Sequence, residues 1–286
     1  MNIINDCEMS KYTSFKAGGR AKALIIPETF NELKETLVKL SKSGEQYQVI
    51  GNGSNILVCD SGYNGSIVKL GFAFAGISKK GDEITVGAGA LLSSVATIAM
   101  EEGLSGLEFA SGIPGSIGGA VFMNAGAYEG EMKDIVKCVN LISKDGMREF
   151  TVNADDMGFA YRYCMLHDTE DVVTSVTLKL KSGKRDEIKD KMRELMERRN
   201  SKQPVSLPSA GSVFKRPAGH FAGKLIEDAG LKGLTLGGAK VSELHAGFIV
   251  NYNNATATDI IDLINVVKET VYDKFGVELE PEIMII

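Results

Sequence analysis

The chain has 286 residues, of which 44% are hydrophobic and 24% are charged, a composition typical of a folded protein rather than a disordered one. Its formal net charge is −5, so no general basic character attracts nucleic acid or anionic lipid. No apolar run approaches the roughly 18 residues of a membrane span, and the four cysteines are too scattered for a disulfide framework. We therefore expect a soluble cytoplasmic protein with reduced thiols that binds neither nucleic acid nor membrane.

The first 180 residues alternate between helix and strand patterns. Thr29 and Glu32 have the spacing of a capping box, and the apolar residues that follow at helical spacing predict a helix that ends near Gly44. A second helix is predicted at 91–102 and a hairpin at 136–152, with its turn at Lys144-Asp-Gly146. Segments rich in β-branched residues predict further strands at 48–50, 56–58, 66–68, 84–86 and 172–180.

A charged stretch that contains glycine, Lys181-Ser-Gly-Lys-Arg185, is the best candidate for a domain boundary. It is followed by a predicted charged helix and then by mixed helices and strands, at 186–200, 221–229, 247–250, 260–271 and 282–286. The patterns therefore predict an α+β protein with two domains, residues 1–182 and residues 183–286.

A short glycine-rich segment, Gly51-Asn-Gly-Ser-Asn55, lies between two β-type runs. Its glycines allow consecutive N–H groups to point into one concavity that suits a diphosphate. A plain hairpin turn explains the same five residues equally well. The segment is not a Rossmann fingerprint, because no helix pattern follows it and the third glycine is missing.

The densest glycine signal runs over residues 111–119, Ser-Gly-Ile-Pro-Gly-Ser-Ile-Gly-Gly. We expect neither a regular helix nor a regular strand here, because each glycine inside such an element costs about 0.5–1 kcal/mol. Backbone of this kind suits direct contact with a flat or charged ligand. An elaborate loop without a ligand is the alternative.

Other motifs fail on their spacing. Gly87-Ala-Gly89 lacks the third glycine of a dinucleotide-binding turn and favours a structural role, while the segment 219–224 fails as a P-loop and predicts the start of a helix. The three histidines have no metal-ligand spacing, so we expect no metal site, and no GxSxG elbow supports a serine hydrolase. The remaining features suit a cofactor that carries the chemistry while the protein positions it.

Several motifs, in order along the chain, together resemble the signature of the UDP-N-acetylenolpyruvoylglucosamine reductases. The resemblance covers nearly the whole chain, from about Tyr12 to the C-terminus. It is carried by the segments 49–57, 112–119, 124–128, 161–162, 210–217, 222–233, 245–251 and 281–282.

The resemblance implies a fold and a cofactor. Residues 1–182 become a two-lobed FAD-binding domain of the vanillyl-alcohol oxidase (PCMH) type, and residues 183–286 an α+β substrate-binding domain whose terminal strand returns to the active site. FAD is expected to bind non-covalently, because neither glycine segment contains the histidine that tethers the flavin in many oxidases of this fold. The implied FAD contacts are Gly51, Asn52, Gly53, Ser54, Asn55, Gly112, Ile113, Pro114, Gly115, Ser116, Gly118 and Gly119.

The resemblance also implies an activity, in which NADPH delivers hydride to the flavin and the flavin passes it to UDP-N-acetylglucosamine enolpyruvate. The product is UDP-N-acetylmuramate, a peptidoglycan precursor. Arg162 matches the family's arginine, whose planar guanidinium suits the substrate carboxylate. Ser212 matches the serine that protonates the new carbanion. Glu282 matches an acid that donates to the carboxylate if burial keeps it protonated.

Two positions depart from the family's pattern. Cys164 stands where the family often has serine, and the stretch 167–171 is too short for the tyrosine-bearing loop that covers the substrate in one branch. The chain therefore resembles the branch without that loop, and other groups must bind the UDP. The candidates are Lys215, Arg216, Lys224 and Asn251.

Two other functions stay open beside the reductase. One is an oxidase of the same flavin fold, and the other is a non-catalytic module that binds a flavin or a nucleotide sugar. We expect the protein to be a monomer or a weak homo-oligomer.

Overall fold

A computed structural model describes all residues from Met1 to Ile286. Its α-helices are α1 Phe30–Ser43, α2 Leu92–Glu101, α3 Ile117–Phe122, α4 Leu166–Thr169, α5 Arg185–Lys202, α6 Ala222–Asp228 and α7 Ala257–Phe275. Its strands are β1 Asn2–Glu8, β2 Arg20–Ile26, β3 Tyr47–Ile50, β4 Ile56–Leu57, β5 Tyr63–Lys69, β6 Ile77–Lys80, β7 Glu83–Gly87, β8 Leu104–Ser105, β9 Gly126–Ala127, β10 Gly130–Glu131, β11 Val136–Ile142, β12 Glu149–Asn153, β13 Val172–Lys179, β14 Lys181–Ser182, β15 Thr235–Leu236, β16 Ala239–Val241, β17 Ile249–Asn251 and β18 Met284–Ile285. None of the helices is both long enough and apolar enough to cross a membrane.

The strands form three larger sheets, with the orders β1-β2-β5-β3, β12-β11-β13-β7-β6 and β15-β16-β17, and three pairs, β10-β9, β14-β8 and β18-β4. The five-stranded sheet is antiparallel throughout. Strands β3 and β5 pair in parallel, as do β4 and β18.

The chain divides into two compact units, each made of three segments. The first unit contains Met1–Ile4, Ala23–Asn52 and Gly65–Arg198, and the second contains Asn5–Lys22, Gly53–Asn64 and Arg199–Ile286. The predicted domains are continuous along the chain, whereas these units are not. The predicted division at residue 182 stays a prediction.

Helix α1 of the first unit follows directly from its sequence. The Thr29 hydroxyl accepts a hydrogen bond from the N–H of Glu32 at 3.2 Å, as an N-cap residue does. Leu33, Leu37 and Leu40 are buried, and they share one face because residues three and four apart are neighbours on a helix. The helix ends at Gly44, whose φ of +67° is readily accessible to glycine.

The predicted hairpin of the first unit is also present. Strands β11 and β12 pair from Cys138 opposite Asn153 to Ile142 opposite Glu149, and Gly146 takes a φ of +73° in the turn. Strand β13 lies between β11 and β7, at the centre of the sheet. The predictions for these strands are therefore confirmed.

The second unit is built around helix α7. Thr256 and Asp259 form a reciprocal capping box at its start, and Gly276 ends it in the left-handed conformation. One face of the helix is fully buried against the rest of this unit, through Ile260, Leu263, Ile264, Val267 and Val271.

The prediction that residues 111–119 contain no regular element is wrong at their end. Helix α3 begins at Ile117 and includes Gly118 and Gly119. Ser116 caps it, since its hydroxyl accepts a hydrogen bond from the N–H of Gly119 at 3.4 Å. A Cβ on Gly118 would lie 2.9 Å from the Cβ of Ala88, so close packing against Ala88 offsets the cost of a helical glycine.

Candidate active site

The two predicted glycine segments meet in the first unit. A Cβ on Gly51 would lie closer than 3.0 Å to the Ser116 hydroxyl and 3.1 Å from the Ser116 Cβ. Beside it, the Asn52 amide donates to the carbonyl of Pro114 at 2.8 Å. A side chain at position 51 would therefore require the Ser116 side chain to move.

The remaining residues of segment 111–119 are held by backbone hydrogen bonds. The N–H of Ile113 donates to Ala110 and the carbonyl of Gly115 accepts from Leu92, each at 3.0 Å. Gly112 is half-buried, whereas Gly119 is exposed on helix α3. The segment is thus held by hydrogen bonds to the protein, and backbone at Gly112 and Gly119 is still accessible to solvent.

The end of the first glycine segment belongs to the second unit. Gly53 has a φ of +66°, and its carbonyl accepts from the N–H of Ser14 at 3.0 Å. The N–H groups of Asn52, Gly53 and Ser54 have no acceptor within the chain. Successive unpaired N–H groups suit an anionic ligand, and this segment therefore fits the diphosphate of FAD.

Arg162 lies at the tip of a tight turn in the first unit. Ala160 and Tyr163 flank the tip and exchange backbone hydrogen bonds of 3.0 and 3.2 Å. Arg162 itself has a φ of +55°, a strained backbone conformation of the kind found at functional sites. Its guanidinium donates to the carbonyl of Gly126 at 3.3 Å and lies over the ring of Tyr161, 4.9 Å from the centroid.

Cys164 directly follows this turn and is fully buried. Its thiol donates to the carbonyl of Phe122 at 3.3 Å. Burial raises the pKa of Cys164 to about 11, so the thiolate required of a nucleophile is scarce at neutral pH. The cysteine at this position packs the turn and offers no hydroxyl to a ligand.

Ser212 and Glu282 are brought together within the second unit, although 70 positions separate them in the sequence. The N–H of Glu282 donates to the carbonyl of Val213 at 2.7 Å, and Phe214 and Pro281 form a β-bridge. The Ser212 hydroxyl lies 3.5 Å from the carbonyls of Gly247 and Phe214. Both distances are at the limit for a hydrogen bond, so the Ser212 hydroxyl is only weakly hydrogen-bonded to the protein.

The backbone of Glu282 is fixed from a second side by the first glycine segment. The Asn55 amide donates to the carbonyl of Glu282 at 3.0 Å, and the carbonyl of Asn55 accepts from the N–H of Met284 at 2.9 Å. Within the second unit, the end of the predicted FAD segment thus contacts the candidate acid directly.

The predicted cationic substrate residues lie on the second unit and already have partners. Lys215 forms an ion pair with Glu280, and Lys224 forms one with Asp228 at 2.7 Å. Arg216 lies over the exposed ring of Phe221, 4.5 Å from the centroid. A diphosphate would compete with exposed carboxylates for the two lysines, and such surface pairs contribute little stability.

Asn251 differs from these three residues, because it is buried and its side chain is fully used. Its amide nitrogen donates to the carbonyls of Phe15 and Lys16 at 3.0 and 3.2 Å. Its oxygen accepts from the N–H of Ala255 at 2.8 Å. These bonds explain the residue as a packing element, and contact with substrate would require the network to open.

Two further residues, Gly247 and Lys69, lie beside the candidate groups. Gly247 lies between His245 and Ser212, since a Cβ on it would be 2.9 Å from the His245 ring and 3.3 Å from the Ser212 hydroxyl. Burial lowers the pKa of His245, which favours the neutral ring. In the first unit, the Lys69 ammonium donates to the carbonyl of Gly51 at 2.5 Å, and burial lowers its pKa too. Gly247 belongs to the segment 245–251 that carries the family resemblance, whereas no motif in the sequence includes Lys69.

Comparison with known proteins decides the family. A protein from Alkaliphilus oremlandii named UDP-N-acetylenolpyruvoylglucosamine reductase is 49% identical over 286 residues, which cover 99% of this chain and 93% of that protein. The chain belongs to the UDP-N-acetylenolpyruvoylglucosamine reductase family. A second reductase of this name, from Caldanaerobacter subterraneus, is 47% identical over 97% of this chain and 91% of its own length.

Family models and a solved structure agree with this assignment to the reductase family. Residues 203–286 match the model of the UDP-N-acetylenolpyruvoylglucosamine reductase C-terminal domain, and residues 21–150 match that of an FAD binding domain. The crystal structure of the reductase (MurB) from Thermus caldophilus superposes with a TM-score of 0.85 at 38% identity, covering 99% of this chain and 98% of that chain. The predicted family, the α+β fold class and FAD as the cofactor of an oxidoreductase are thereby confirmed.

Proposed function

We propose that this chain reduces UDP-N-acetyl-3-O-(1-carboxyvinyl)glucosamine to UDP-N-acetylmuramate, with non-covalent FAD and with NADPH as the reductant. The observation that carries the proposal is the contact of Gly51 with Ser116 in a chain whose relatives are reductases of this name over nearly their full length. When bound, FAD would supply the hydride-transfer chemistry that links NADPH to the vinyl group of the substrate.

The residues proposed to hold FAD are the two glycine segments described above. The unpaired amides of Asn52, Gly53 and Ser54 suit the diphosphate. The remaining contacts are assigned to Gly51, Asn55, Gly112, Ile113, Pro114, Gly115, Ser116, Gly118 and Gly119. No histidine occurs among these residues, which supports a flavin that is not covalently attached.

Arg162 is proposed to bind the substrate carboxylate. Hydride addition leaves negative charge on the carbon next to that carboxylate, and a fixed cation stabilises this charge as it develops. Arg162 is half-buried, and its turn is held by backbone hydrogen bonds, so little reorganisation is required. The planar fork of arginine matches a carboxylate in a way that a lysine ammonium does not.

Ser212 is proposed to donate its proton to the new carbanion, which becomes the chiral carbon of the lactyl group. The electron pair of the carbanion forms the C–H bond, and the serine oxygen regains a proton from solvent. Weak contacts of 3.5 Å around the hydroxyl leave it able to turn toward the substrate. Glu282, which is half-buried, is proposed to contact the carboxylate of the substrate.

Lys215, Arg216 and Lys224 are proposed to contact the UDP, and Asn251 is retained as a weaker candidate. The cytoplasmic location and the monomeric or weakly oligomeric state stay predictions.

The half-reactions test the function and Ser212 together. Without oxygen, NADPH should bleach the yellow protein, and the enolpyruvyl sugar should restore the colour. Ser212→Ala should still bleach with NADPH but recover its colour at least about 100-fold more slowly, because general acid catalysis contributes about 10²–10⁴-fold. Ser206→Ala, an exposed serine of the same unit, is the matched control. Normal recovery in Ser212→Ala would remove Ser212 from the mechanism.

Arg162 is tested by its conservative variant. Arg162→Lys should slow recovery by the sugar and leave bleaching by NADPH intact, whereas Arg193→Lys on the exposed face of α5 should change neither step. Full activity of Arg162→Lys would refute its assignment.

Two outcomes would favour the other functions. Colour that stays with the acid-precipitated protein would indicate a covalently held flavin and an oxidase. A yellow protein that NADPH does not bleach, with or without the sugar, would indicate a non-catalytic binding module.

A further inference from the structure

The side chain of Asn124 connects the β9–β10 strand pair to the turn 160–163, which carries Arg162. It is completely buried and forms one hydrogen bond to the strand pair and one to the turn. Its amide nitrogen donates to the Glu131 carboxylate at 2.7 Å and to the carbonyl of Ala160 at 2.9 Å. Its oxygen accepts from the N–H of Lys133 at 2.9 Å. Both amide donors and the acceptor are therefore used.

The first bond fixes the strand pair that receives the arginine. Glu131 lies opposite Gly126 in the pairing of β9 with β10, and the carbonyl of Gly126 accepts from the Arg162 guanidinium at 3.3 Å. A shift of Glu131 would move Gly126 with it, and the Arg162 guanidinium would lose its hydrogen bond to the Gly126 carbonyl.

The second bond fixes the turn that carries the arginine. Ala160 is the first flanking residue of that turn, and its exchange of hydrogen bonds with Tyr163 closes the turn around Arg162. The other side of the turn rests on an aromatic stack, in which the His167 ring lies 5.2 Å from Tyr163 and 4.1 Å from Phe122. The turn is thus held on one side by the aromatic stack and on the other by the hydrogen bond from Asn124.

Asparagine satisfies two demands at this position. The residue has a φ of +40°, which Asn and Asp tolerate better than other residues with a Cβ. The site also needs two donors from one side chain, since its neighbours are a carboxylate and a carbonyl. Aspartate would meet the backbone demand but would turn both donors into acceptors.

We propose that Asn124 is a positioning residue that sets the orientation of the Arg162 guanidinium toward the substrate carboxylate. The inference rests on the proposed role of Arg162. Asn124 acts through Gly126 and the turn, and it supplies no group to the reaction.

The test is Asn124→Asp in the FAD-loaded protein, followed through both half-reactions. Recovery of colour by the enolpyruvyl sugar should slow by about 100-fold, because a misplacement of about 1 Å can cost that much. Bleaching by NADPH and the FAD content should stay within twofold of the parent protein. Adding Glu131→Gln to Asn124→Asp gives the new carboxylate a donor, and it should restore at least part of the lost rate.

A matched control is Asn140→Asp in the same unit. Asn140 is a partly buried asparagine that donates to Ser175 at 2.8 Å and accepts from Thr151 at 2.7 Å, without contacting the turn. It should lower stability without separating the half-reactions. If Asn124→Asp does not fold, Glu131→Gln alone decides, because it weakens a charge-assisted bond and should slow only the sugar step.

The outcomes separate this inference from the proposed function. A defective Arg162→Lys beside an Asn124→Asp with normal rates would overturn the inference alone. An Asn124→Asp that slowed both half-reactions equally, or that was not improved by Glu131→Gln, would also overturn it as a general structural effect. A fully active Arg162→Lys would overturn the role of Arg162 on which the inference depends.

Discussion

Replacing Gly51 with alanine tests the contact between the two glycine segments. The new methyl would overlap the Ser116 hydroxyl and lie 3.1 Å from the Ser116 Cβ. The hydroxyl can avoid it only by leaving the N–H of Gly119, which it now accepts at 3.4 Å. Loss of this N-cap bond costs about 1 kcal/mol, and overpacking adds about 1–3 kcal/mol. We therefore expect Gly51→Ala to lose about 2–4 kcal/mol of unfolding free energy.

The assay is urea unfolding of the FAD-free protein, with an FAD titration beside it. Ser116→Gly removes the overlapping atoms and alone costs only a few tenths of a kcal/mol, because glycine is an acceptable N-cap. The double variant should thus be about 2 kcal/mol more stable than the sum of the single effects allows. Gly76→Ala, where a Cβ meets nothing within 4 Å, is the control and should change stability little. Additivity of Gly51→Ala and Ser116→Gly within about 0.5 kcal/mol would refute the reasoning.

Three further predictions concern titration and reactivity. Burial lowers the pKa of His245, so the unfolded state binds its proton more tightly and stability falls as pH drops below about 6.5. In urea unfolding, His245→Gln should flatten this part of the stability profile, and an unchanged profile would contradict the prediction. Burial opposes ionisation of Asp60, but hydrogen bonds from the start of α7 prevail and lower its pKa. Asp60→Asn should therefore cost about 1 kcal/mol at pH 7, and the difference from the parent should disappear as pH falls below about 4. Cys164, with its pKa raised to about 11, should resist iodoacetamide in the folded protein longer than half-buried Cys59, and equal labelling rates by mass spectrometry would contradict its burial.

Elements with local causes could be predicted from the sequence. Helix α1 depends on a cap at Thr29, an apolar stripe and a terminal Gly44, all of which lie within 16 residues of chain. Helix α3 was missed because its stability comes from a distant residue. Gly118 packs on Ala88, 30 positions earlier, and no local preference reports that contact.

The candidate site divides in the same way. The two glycine segments can be recognised from their composition. At Gly51, however, composition fits a plain turn as well as a ligand site. Only the family resemblance predicts Ser212 and Glu282 as site residues. Their proximity depends on a β-bridge between Phe214 and Pro281, which no local sequence pattern indicates. Lys69 and Asn124 form hydrogen bonds to residues that become neighbours only after folding. The family signature includes Asn124 in the segment 124–128 but gives it no role, and no motif includes Lys69.

The parallel pairing of β4 with β18 also has a consequence for biosynthesis. Ile56 lies opposite Met284, so β4 cannot form this pairing until residue 284 has been synthesised. The first unit ends at Arg198 and can condense while translation continues, since domains generally fold as units during synthesis. The second unit includes Arg199–Ile286, so it cannot be completed before this segment has been synthesised. Ribosome-stalled intermediates ending before residue 284 should therefore leave the Asn55 backbone without its Met284 partner, and competence to retain the flavin should arrive late.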